Sequence, residues 1–487
     1  MRRALLTTAA LGPATLGLAL AGCAVGPRYH QPSTPAASSG AFAAPSQGVA
    51  MQPPPDRWWE LYQDPAIDAL VQQALVHNTD LRIAAANLAQ ARGALLQARA
   101  AQLPATQTGV GANYGVSSNQ VVVDSIDAKR PKPVWYYTAQ FDASYEVDLW
   151  GRVRHVVEAA RQDVQAVAAA QDVVRVTVAA ETTRAYVDAC AYAEQIAVAR
   201  RSLEVVTQTW RITEQQLKLG TASDFDLARA ATLVEQTRAT IPPLEDQRRA
   251  SLYQLAVLTG QPPEKIDAAA AQCVRPPQLA APLPVGDGAD LLKRRPDVRE
   301  AERMLASDVS RVGIAVASLY PTISLGGGAG GGSTNLGQMF APQNLSYNVG
   351  PLISWSFPNL VAQAGQVAQA KAAASGALAQ FDGTVLKALQ DTETALSAYA
   401  GELDRHKALQ AAHDQATLAF KLAGVRYQGG EASFLDVLTT EQTLVSADQA
   451  LAASDQALAS DQVSLFKALG GGWQAAPKAA AQNDWTR

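Results

Sequence analysis

The sequence lacks any long apolar run beyond its first twenty residues. A membrane-spanning helix needs about 20 consecutive apolar residues, and no stretch after Leu20 approaches that length. This excludes a protein built from several membrane-spanning helices. If the chain crosses a membrane, it must do so as β-strands, because only helices and closed barrels satisfy every backbone polar group in lipid.

Charged residues are also scarce. They make up 17% of the 487 residues, against about a quarter in ordinary soluble domains. The formal net charge is −4 at pH 7, which argues against nucleic acid as a partner. Ala, Gln, Ser and Thr fill much of the deficit. This mixture suits helices that pack closely through small side chains.

Cysteine and histidine are equally sparse. A disulfide between Cys190 and Cys273 is compatible with an oxidising compartment, but spacing alone leaves this pairing open. The five histidines form no zinc-like spacing with cysteines or carboxylates, and we place them on solvated helix faces. No nucleophile–base arrangement is recognisable. The sequence therefore predicts no catalytic residues, no metal site and no cofactor, and hence no enzyme.

The N-terminus is typical of a secretory signal. A basic start at Arg2 and Arg3 precedes an apolar stretch over 4–20, which Gly-Pro interrupts. That stretch is too short and too broken to span a membrane. We therefore predict a signal peptide over residues 1–22.

A lipid anchor is predicted directly after this signal. Small residues before Cys23 resemble a bacterial lipoprotein signal, in which the cysteine sulfur is acylated. Each buried CH₂ of an acyl chain stabilises membrane binding by about 0.8 kcal/mol. Ala24, rather than Asp, resembles the sorting signal of outer-membrane lipoproteins. We therefore predict that residues 23–60 form a lipid anchor and a Pro-rich tether. The alternative to a lipoprotein signal is an ordinary signal-peptide cleavage site that happens to precede a cysteine.

The sequence contains an internal duplication. Residues 220–227 match 430–437 at an offset of 210, and 80–82 match 297–299 further upstream. Several separated matches in register indicate duplication rather than chance. The predicted segments are a first repeat over 61–275, a second repeat over 276–473 and a C-terminal tail over 474–487.

Each repeat is predicted to contain the same elements in the same order. A helical segment is followed by a strand, a loop and a second strand, then a very long helix, a glycine turn and a helix of middle length. The bounds in the first repeat are about 66–103, 105–117, 134–148, 152–218 and 224–259. Those in the second are about 297–319, 321–334, 344–356, 362–427 and 434–469. Such a chain is mostly α with four strands.

The strands show the sharpest local pattern. From Trp135 to Leu149 every second residue is apolar or aromatic, whereas most residues between them are polar, and the same period of two recurs over 345–355. This pattern fits a barrel with lipid outside and water inside. The alternative is a soluble sandwich with one buried face. Aromatics clustered on the apolar face, as in interfacial girdles, favour the barrel.

The helices carry apolar residues seven positions apart. The final helix of the second repeat has an apolar row at Val437, Leu444, Leu451, Leu458 and Leu465. Seven-residue spacing indicates coiled-coil contact with neighbouring helices. Another row of the same helix is polar and consists of Glu441, Asp448, Asp455 and Gln462. In the first repeat, Pro242 and Pro243 predict a kink.

Four strands cannot close a transmembrane barrel, since known single-chain barrels begin at eight. Open edges are not tolerated in lipid, so several chains must share one barrel. Two chains would give a filled interior, whereas three would give twelve strands and a passage. The longest helices would extend about 100 Å at 1.5 Å per residue. We therefore predict a trimer in which an α-helical barrel continues into a shared 12-stranded β-barrel, with four strands per protomer.

Six segments together resemble the TolC-like outer-membrane efflux family, in the lipoprotein branch that serves resistance-nodulation-division pumps. They are spread along nearly the whole chain after the signal. They are VGPRY (25–29), WW (58–59), SYEVDLWGR (144–152), DLLKRRPD (290–297), the stretch from VRY (425–427) to Leu438, and KALGGGW (467–473). The resemblance implies a homotrimeric channel in a Gram-negative outer membrane, with its helical barrel in the periplasm. It also implies a small equatorial domain near the C-terminal tail, a periplasmic adaptor protein and an inner-membrane pump.

The two duplicated turns first of all indicate helix boundaries. Gly220 and Gly430 are typical of the left-handed position that ends a helix. Ser223 and Ser433 suit N-caps, each with an aspartate three residues later beside the positive helix end. Local capping explains most of this motif without any role in a pore.

The resemblance adds a functional role to these turns. In the family such turns form the periplasmic tip, where inner helices close the pore. The resemblance implies a hydrogen bond between Asp226 and Tyr427 that holds the tip shut, and a constriction at Leu435 and Asp436. The chain departs from the family at Thr439, where a second acid is common.

Two other functions fit parts of the sequence. One is the outer-membrane tunnel of a type I protein-secretion system, which shares the architecture. The lipoprotein signal and the ending 467–473 favour small-molecule efflux over it. The other is a lipid-anchored coiled-coil scaffold without a pore, which has no use for strands with one apolar and one polar face. The sequence therefore predicts a passive duct for drugs or other small molecules, driven by another protein.

Overall fold

The computed structural model describes six stretches of the chain. They are 24–33, 40–44, 47–116, 132–279, 282–358 and 360–474. The predicted signal peptide, Cys23 and the tail beyond 474 lie outside the described residues. The chain divides into two compact units. Unit 1 comprises Met1–Pro32, Ala89–Ala166 and Ala301–Gln380, and unit 2 comprises Ser33–Leu88, Val167–Glu300 and Phe381–Arg487.

Long helices account for most of the described chain. The helices are α1 (Pro65–His77), α2 (Thr79–Ala100), α3 (Arg152–Lys218), α4 (Asp224–Ala239), α5 (Ile241–Leu258), α6 (Ala268–Gln272), α7 (Gly288–Arg294), α8 (Pro296–Ala317), α9 (Val361–Gln428) and α10 (Phe434–Ala468). The strands are β1 (Val49–Ala50), β2 (Ala105–Gly115), β3 (Val134–Val147), β4 (Leu283–Pro284), β5 (Thr322–Ser333) and β6 (Leu345–Ser354). None of the helices in the described stretches carries an apolar segment sufficient for a membrane crossing.

Two predicted helices are interrupted. The first helical segment breaks at Asn78, whose side-chain oxygen accepts from the backbone N–H groups of Asp80 and Leu81 and so caps α2. The segment after the first glycine turn breaks at Thr240, directly before Ile241 and the two prolines. Proline lacks a backbone N–H and clashes with the preceding turn, so a helix tolerates it only in its first turn.

Unit 1 contains a four-stranded antiparallel sheet in the order β2-β3-β5-β6. The strand register keeps apolar residues opposite one another across the sheet, as at Tyr114–Trp135 and at Val147–Ile323–Ile353. Directly opposed residues of antiparallel strands share a face, so one face is continuous and apolar. Within the described residues, β2 and β6 are both edge strands of this sheet. A sheet with two such edges requires partners from other chains if it lies in lipid.

Unit 2 holds the principal apolar core. Trp58 stacks on Phe466 with ring centroids 4.7 Å apart, and Trp59 is equally buried. The segment WW predicted as part of the family resemblance therefore packs against α10. A disulfide joins Cys190 of α3 to Cys273, which follows α6. This resolves the pairing that the sequence left open.

The polar row of α10 lies against other helices. Glu441 is 1% exposed and accepts a hydrogen bond from Thr209 of α3 at 2.8 Å. Burial raises the pKa of the Glu441 carboxyl. His406 and His413 of α9 contact Asp455 and Asp448 at 2.7 and 3.0 Å and are only about one quarter exposed. Placing these two histidines on solvated helix faces was wrong, because their acidic partners on α10 face α9.

Candidate functional site

The two duplicated turns lie at one end of unit 2. The first joins α3 to α4 and the second joins α9 to α10. Val206, Val234, Leu438 and Val445 from these helices form one small apolar cluster. The cluster therefore packs α3, α4 and α10 against one another near the two turns.

Each turn ends one helix in the same way. Gly220 and Gly430 have φ angles of +74° and +76°, which glycine adopts without a steric penalty. The N–H of Thr221 bonds to the carbonyl of Gln216, five residues back, and that of Glu431 bonds equivalently to Arg426. This pattern satisfies carbonyls that the helix end would otherwise leave unpaired.

Each turn also begins the next helix with a reciprocal cap. The Ser223 hydroxyl accepts from the N–H of Asp226, while the Asp226 carboxylate accepts from the N–H of Ser223; Ser433 and Asp436 repeat the arrangement. The serine hydroxyl and then the serine N–H lower the pKa of both aspartates. A depressed pKa keeps these caps intact above about pH 4, and they weaken only as pH falls through the lowered pKa.

The expected hydrogen bond between Asp226 and Tyr427 is not formed within this chain. Both residues are described, and the Asp226 carboxylate is occupied by Ser223, as the reciprocal cap requires. The Tyr427 hydroxyl instead donates to Gln216 Oε1 at 3.0 Å. This bond links the last turn of α9 to the last turn of α3. Sequence reasoning missed Gln216 because nothing distinguishes it from the other polar residues near the end of α3.

The residues expected to narrow the tip lie on the first turn of α10. Leu435 is 45% exposed, and Asp436 is also exposed. The hydroxyl of Thr439 donates to the carbonyl of Leu435 at 2.9 Å, so this side chain is turned back onto its own helix. The first turn of α10 therefore presents an apolar and an anionic side chain next to each other.

A second candidate site surrounds the first described residues of unit 1. The N–H of Val25 bonds to the carbonyl of Trp150 at 3.0 Å. The Nε2–H of His155 donates to the Val25 carbonyl at 2.9 Å, since a carbonyl oxygen can only accept. Gly313 leaves room for this ring, because a Cβ there would lie 2.6 Å from His155. The segment that follows Cys23 is thus fastened to the beginning of α3.

Aromatic side chains lie at the same end of the sheet. Trp150 stacks on Tyr320 and Trp355 stacks on Phe357, each pair with ring centroids 4.7 Å apart. The Trp150 indole N–H donates to the carbonyl of Pro321 at 2.8 Å. Tryptophan and tyrosine with one apolar face and one satisfied polar group favour a membrane–water interface. We call this end of the sheet, next to Ala24, the interfacial level, because its aromatic pairs are of the kind found at membrane–water interfaces.

Comparison with known proteins decides the identity of this architecture. The family described as "Outer membrane efflux protein" matches residues 70–261 and 289–471, which correspond to the two halves of the internal duplication. The chain belongs to the outer membrane efflux protein family. The matched residues include both helix turns and all four strands of the unit 1 sheet.

Individual relatives extend over nearly the whole chain. The pyoverdine export outer membrane protein OpmQ of Pseudomonas aeruginosa is 32% identical over 473 residues, covering 93% of this chain and 96% of the relative. The toluene efflux pump outer membrane protein TtgC of Pseudomonas putida is 29% identical over 484 residues, covering 96% of both chains. The solved structure of the outer-membrane channel OprN superposes with a TM-score of 0.85 at 31% identity, covering 93% of this chain and all of that one.

The family relationship confirms the predicted architecture. Its solved members are trimeric outer-membrane efflux channels, so the four strands of each protomer contribute to one 12-stranded barrel. The chain is accordingly an outer-membrane protein of a Gram-negative bacterium, with its helical barrel in the periplasm. The edges of β2 and β6, which have no strand partner among the described residues, must pair with neighbouring protomers if this barrel is closed. The resemblance inferred from sequence segments alone is also confirmed.

Proposed function

We propose that this chain is the exit duct for small molecules in a tripartite system driven by a resistance-nodulation-division pump. The observation that carries the proposal is the match to outer-membrane efflux channels over nearly the whole chain. The sheet of unit 1 agrees with it, since that sheet has one apolar face and, among the described residues, two open edges. Three such sheets enclose a passage, and the long helices α3 and α9 extend it through the periplasm. The protein contributes the conduit and no driving force, and a periplasmic adaptor connects it to the pump.

Efflux by this chain is measured in a strain deleted for its other channels of the same family. Cells carrying the gene are expected to accumulate less of a small fluorescent pump substrate than cells without it, and to survive higher concentrations of small antibiotics. Adaptor and pump proteins should co-purify with the tagged channel from crosslinked cells. The proposal fails if the gene changes only the amount of a secreted protein, which is the signature of a type I secretion tunnel.

We further propose that Cys23 is acylated in the mature protein. The described part of the chain supports this: Val25 is held beside Trp150 and His155 at the interfacial level of the sheet. Acyl chains on the residue before Ala24 would enter the bilayer at that level. The predicted segment boundaries at 22 and 60 remain part of this proposal.

The anchor is tested by intact mass spectrometry of protein extracted from membranes. We expect a mature chain that begins at Cys23 and carries the mass of its acyl chains. Cys23→Ser should lose that mass, while Cys190→Ser, the matched control, should retain it. An unmodified Cys23 in the wild-type protein would rule the anchor out.

We also propose that Leu435 and Asp436, with the Tyr427–Gln216 bond, restrict the periplasmic tip. The caps at Ser223 and Ser433 fix the directions of α4 and α10, and Gly220 and Gly430 allow the reversals. The support is their common position on four joined helix ends.

A further inference from the structure

The polar face of the unit 1 sheet carries few charges. The register aligns Gln107, Asp142, Gly328 and Asn348 side by side across its four strands. Residues alternate between faces along a strand, so the residues two positions away share this face. On this face, the described parts of β2, β3, β5 and β6 contain two carboxylates, Asp142 and Glu146, and neither lysine nor arginine.

The two carboxylates have different surroundings. Glu146 is neutralised by Arg152, which donates from Nε at 2.8 Å and also from Nη2. Asp142 accepts from the neutral amide of Gln140 at 2.8 Å. Among the described residues, no lysine or arginine forms an ion pair with Asp142. The charge of Asp142 is therefore the uncompensated charge of this face.

Glycine in β5 gives the Asp142 side chain its position. A Cβ on Gly328 would lie 2.5 Å from Asp142 Oδ1 and 3.0 Å from Asn348 Oδ1. The side chains of both neighbouring strands therefore lean over Gly328 instead of standing apart. Because the glycines of β5 have no side chains, the space above this strand on the polar face is free. Oδ1 of Asp142 and Oδ1 of Asn348 both lie in that space above Gly328.

We propose that Asp142 forms a ring of three carboxylates in the barrel lumen, which makes the exit duct favour cations and cationic small molecules over anions. This rests on the proposed function as a trimeric conduit. Threefold symmetry places the three copies at one height in the barrel. Rings of aspartate select cations in other pores because they raise the local cation concentration and repel anions.

The field of such a ring depends on salt. The Debye length is about 10 Å at 0.1 M and about 3 Å at 1 M. The three charges therefore act across the lumen at low salt and are screened at high salt. The preference set by Asp142 should be clear at 0.1 M and largely absent at 1 M.

The experiment measures reversal potentials of purified channels in planar lipid bilayers under a shallow KCl gradient centred on about 0.1 M, and again under one centred on about 1 M. Wild type is compared with Asp142→Asn and Asp142→Lys. Ser144→Asn is the matched control, since it places an amide on the same face without changing charge. Each variant is also measured with the Tyr427→Phe substitution at the tip, so that the barrel contributes more to the total selectivity.

Asp142→Asn is expected to lower the cation-to-anion permeability ratio at least about twofold at low salt, with little change at 1 M. Asp142→Lys should shift the preference towards anions, and Ser144→Asn should behave as wild type. An unchanged ratio for Asp142→Asn in both tip backgrounds overturns the inference while leaving the conduit intact. Failure of every variant and wild type to conduct would instead contradict the proposed function.

Discussion

The double variant Gln216→Ala/Tyr427→Phe is expected to conduct ions several-fold better than the wild-type channel in planar lipid bilayers. The Tyr427–Gln216 bond joins the last turns of α9 and α3. A neutral hydrogen bond contributes about 0.5–1.5 kcal/mol, and three copies about 1.5–4.5 kcal/mol. Since each 1.4 kcal/mol changes an equilibrium tenfold, their loss shifts a closed tip strongly towards an open one.

Single variants sharpen this test. Each single change removes the same bond, so Tyr427→Phe alone and Gln216→Ala alone should resemble the double variant rather than add up to it. Tyr186→Phe is the matched control, because its hydroxyl donates to Asp64 in the core of unit 2. It should leave conductance unchanged. Wild-type conductance in the double variant would show that the bond only packs the helix ends.

The capping aspartates should behave differently from this bond. Asp226→Ala removes the N3 carboxylate of the capping box and should destabilise the first turn of α4, with a smaller effect on conductance than Tyr427→Phe. The Asp226 carboxylate is already engaged by Ser223, which leaves Tyr427 to Gln216.

Removing the Cys190–Cys273 disulfide is expected to lower the free energy of unfolding by about 2–4 kcal/mol. The bridge closes a loop whose ends are 83 residues apart in sequence, and long loops gain most from closure. Cys190 is fully buried, so its loss also affects core packing. Thermal unfolding in detergent, followed by circular dichroism, should show a lower midpoint for Cys190→Ala/Cys273→Ala.

Reduction distinguishes the bridge from the packing of its sulfurs. Wild-type protein treated with a reductant that reaches the bridge should melt between untreated wild type and the double variant, because it loses the bridge but keeps the buried sulfur of Cys190. The double variant should not respond to reductant. Conductance should stay at the wild-type value in both, because the bridge lies away from the helix turns. Two free thiols at these positions in unfolded, unreduced protein would contradict the pairing.

The parts of the fold that could be predicted were those with a regular spacing of residues in the sequence. The alternation from Trp135 onwards predicted β3 and its two faces, because one apolar face must meet lipid. The offset of 210 predicted the second turn from the first, and the caps at Ser223 and Ser433 follow from local chemistry. Such features depend on residues that are close together in the sequence, so the sequence alone predicts them.

Contacts between residues that are far apart in the sequence could not be predicted from it. The bond from Tyr427 to Gln216 joins residues 211 positions apart, and it depends on how α3 and α9 pack. His406 and His413 have the spacing of a heptad, yet their partial burial became evident only from the acidic row of α10 opposite them. The break at Asn78 was missed, although asparagine favours caps over helix interiors and could have signalled it.

The shared barrel is tested most directly by the mass of the conducting species. Detergent-extracted protein is separated by size, its subunit number is determined by native mass spectrometry, and each fraction is added to a planar lipid bilayer. A trimeric barrel predicts that single-channel currents come only from the fraction with three copies of the chain, because four strands leave β2 and β6 unpaired. Channels formed by a monomeric fraction, or trimers that never conduct, would contradict it.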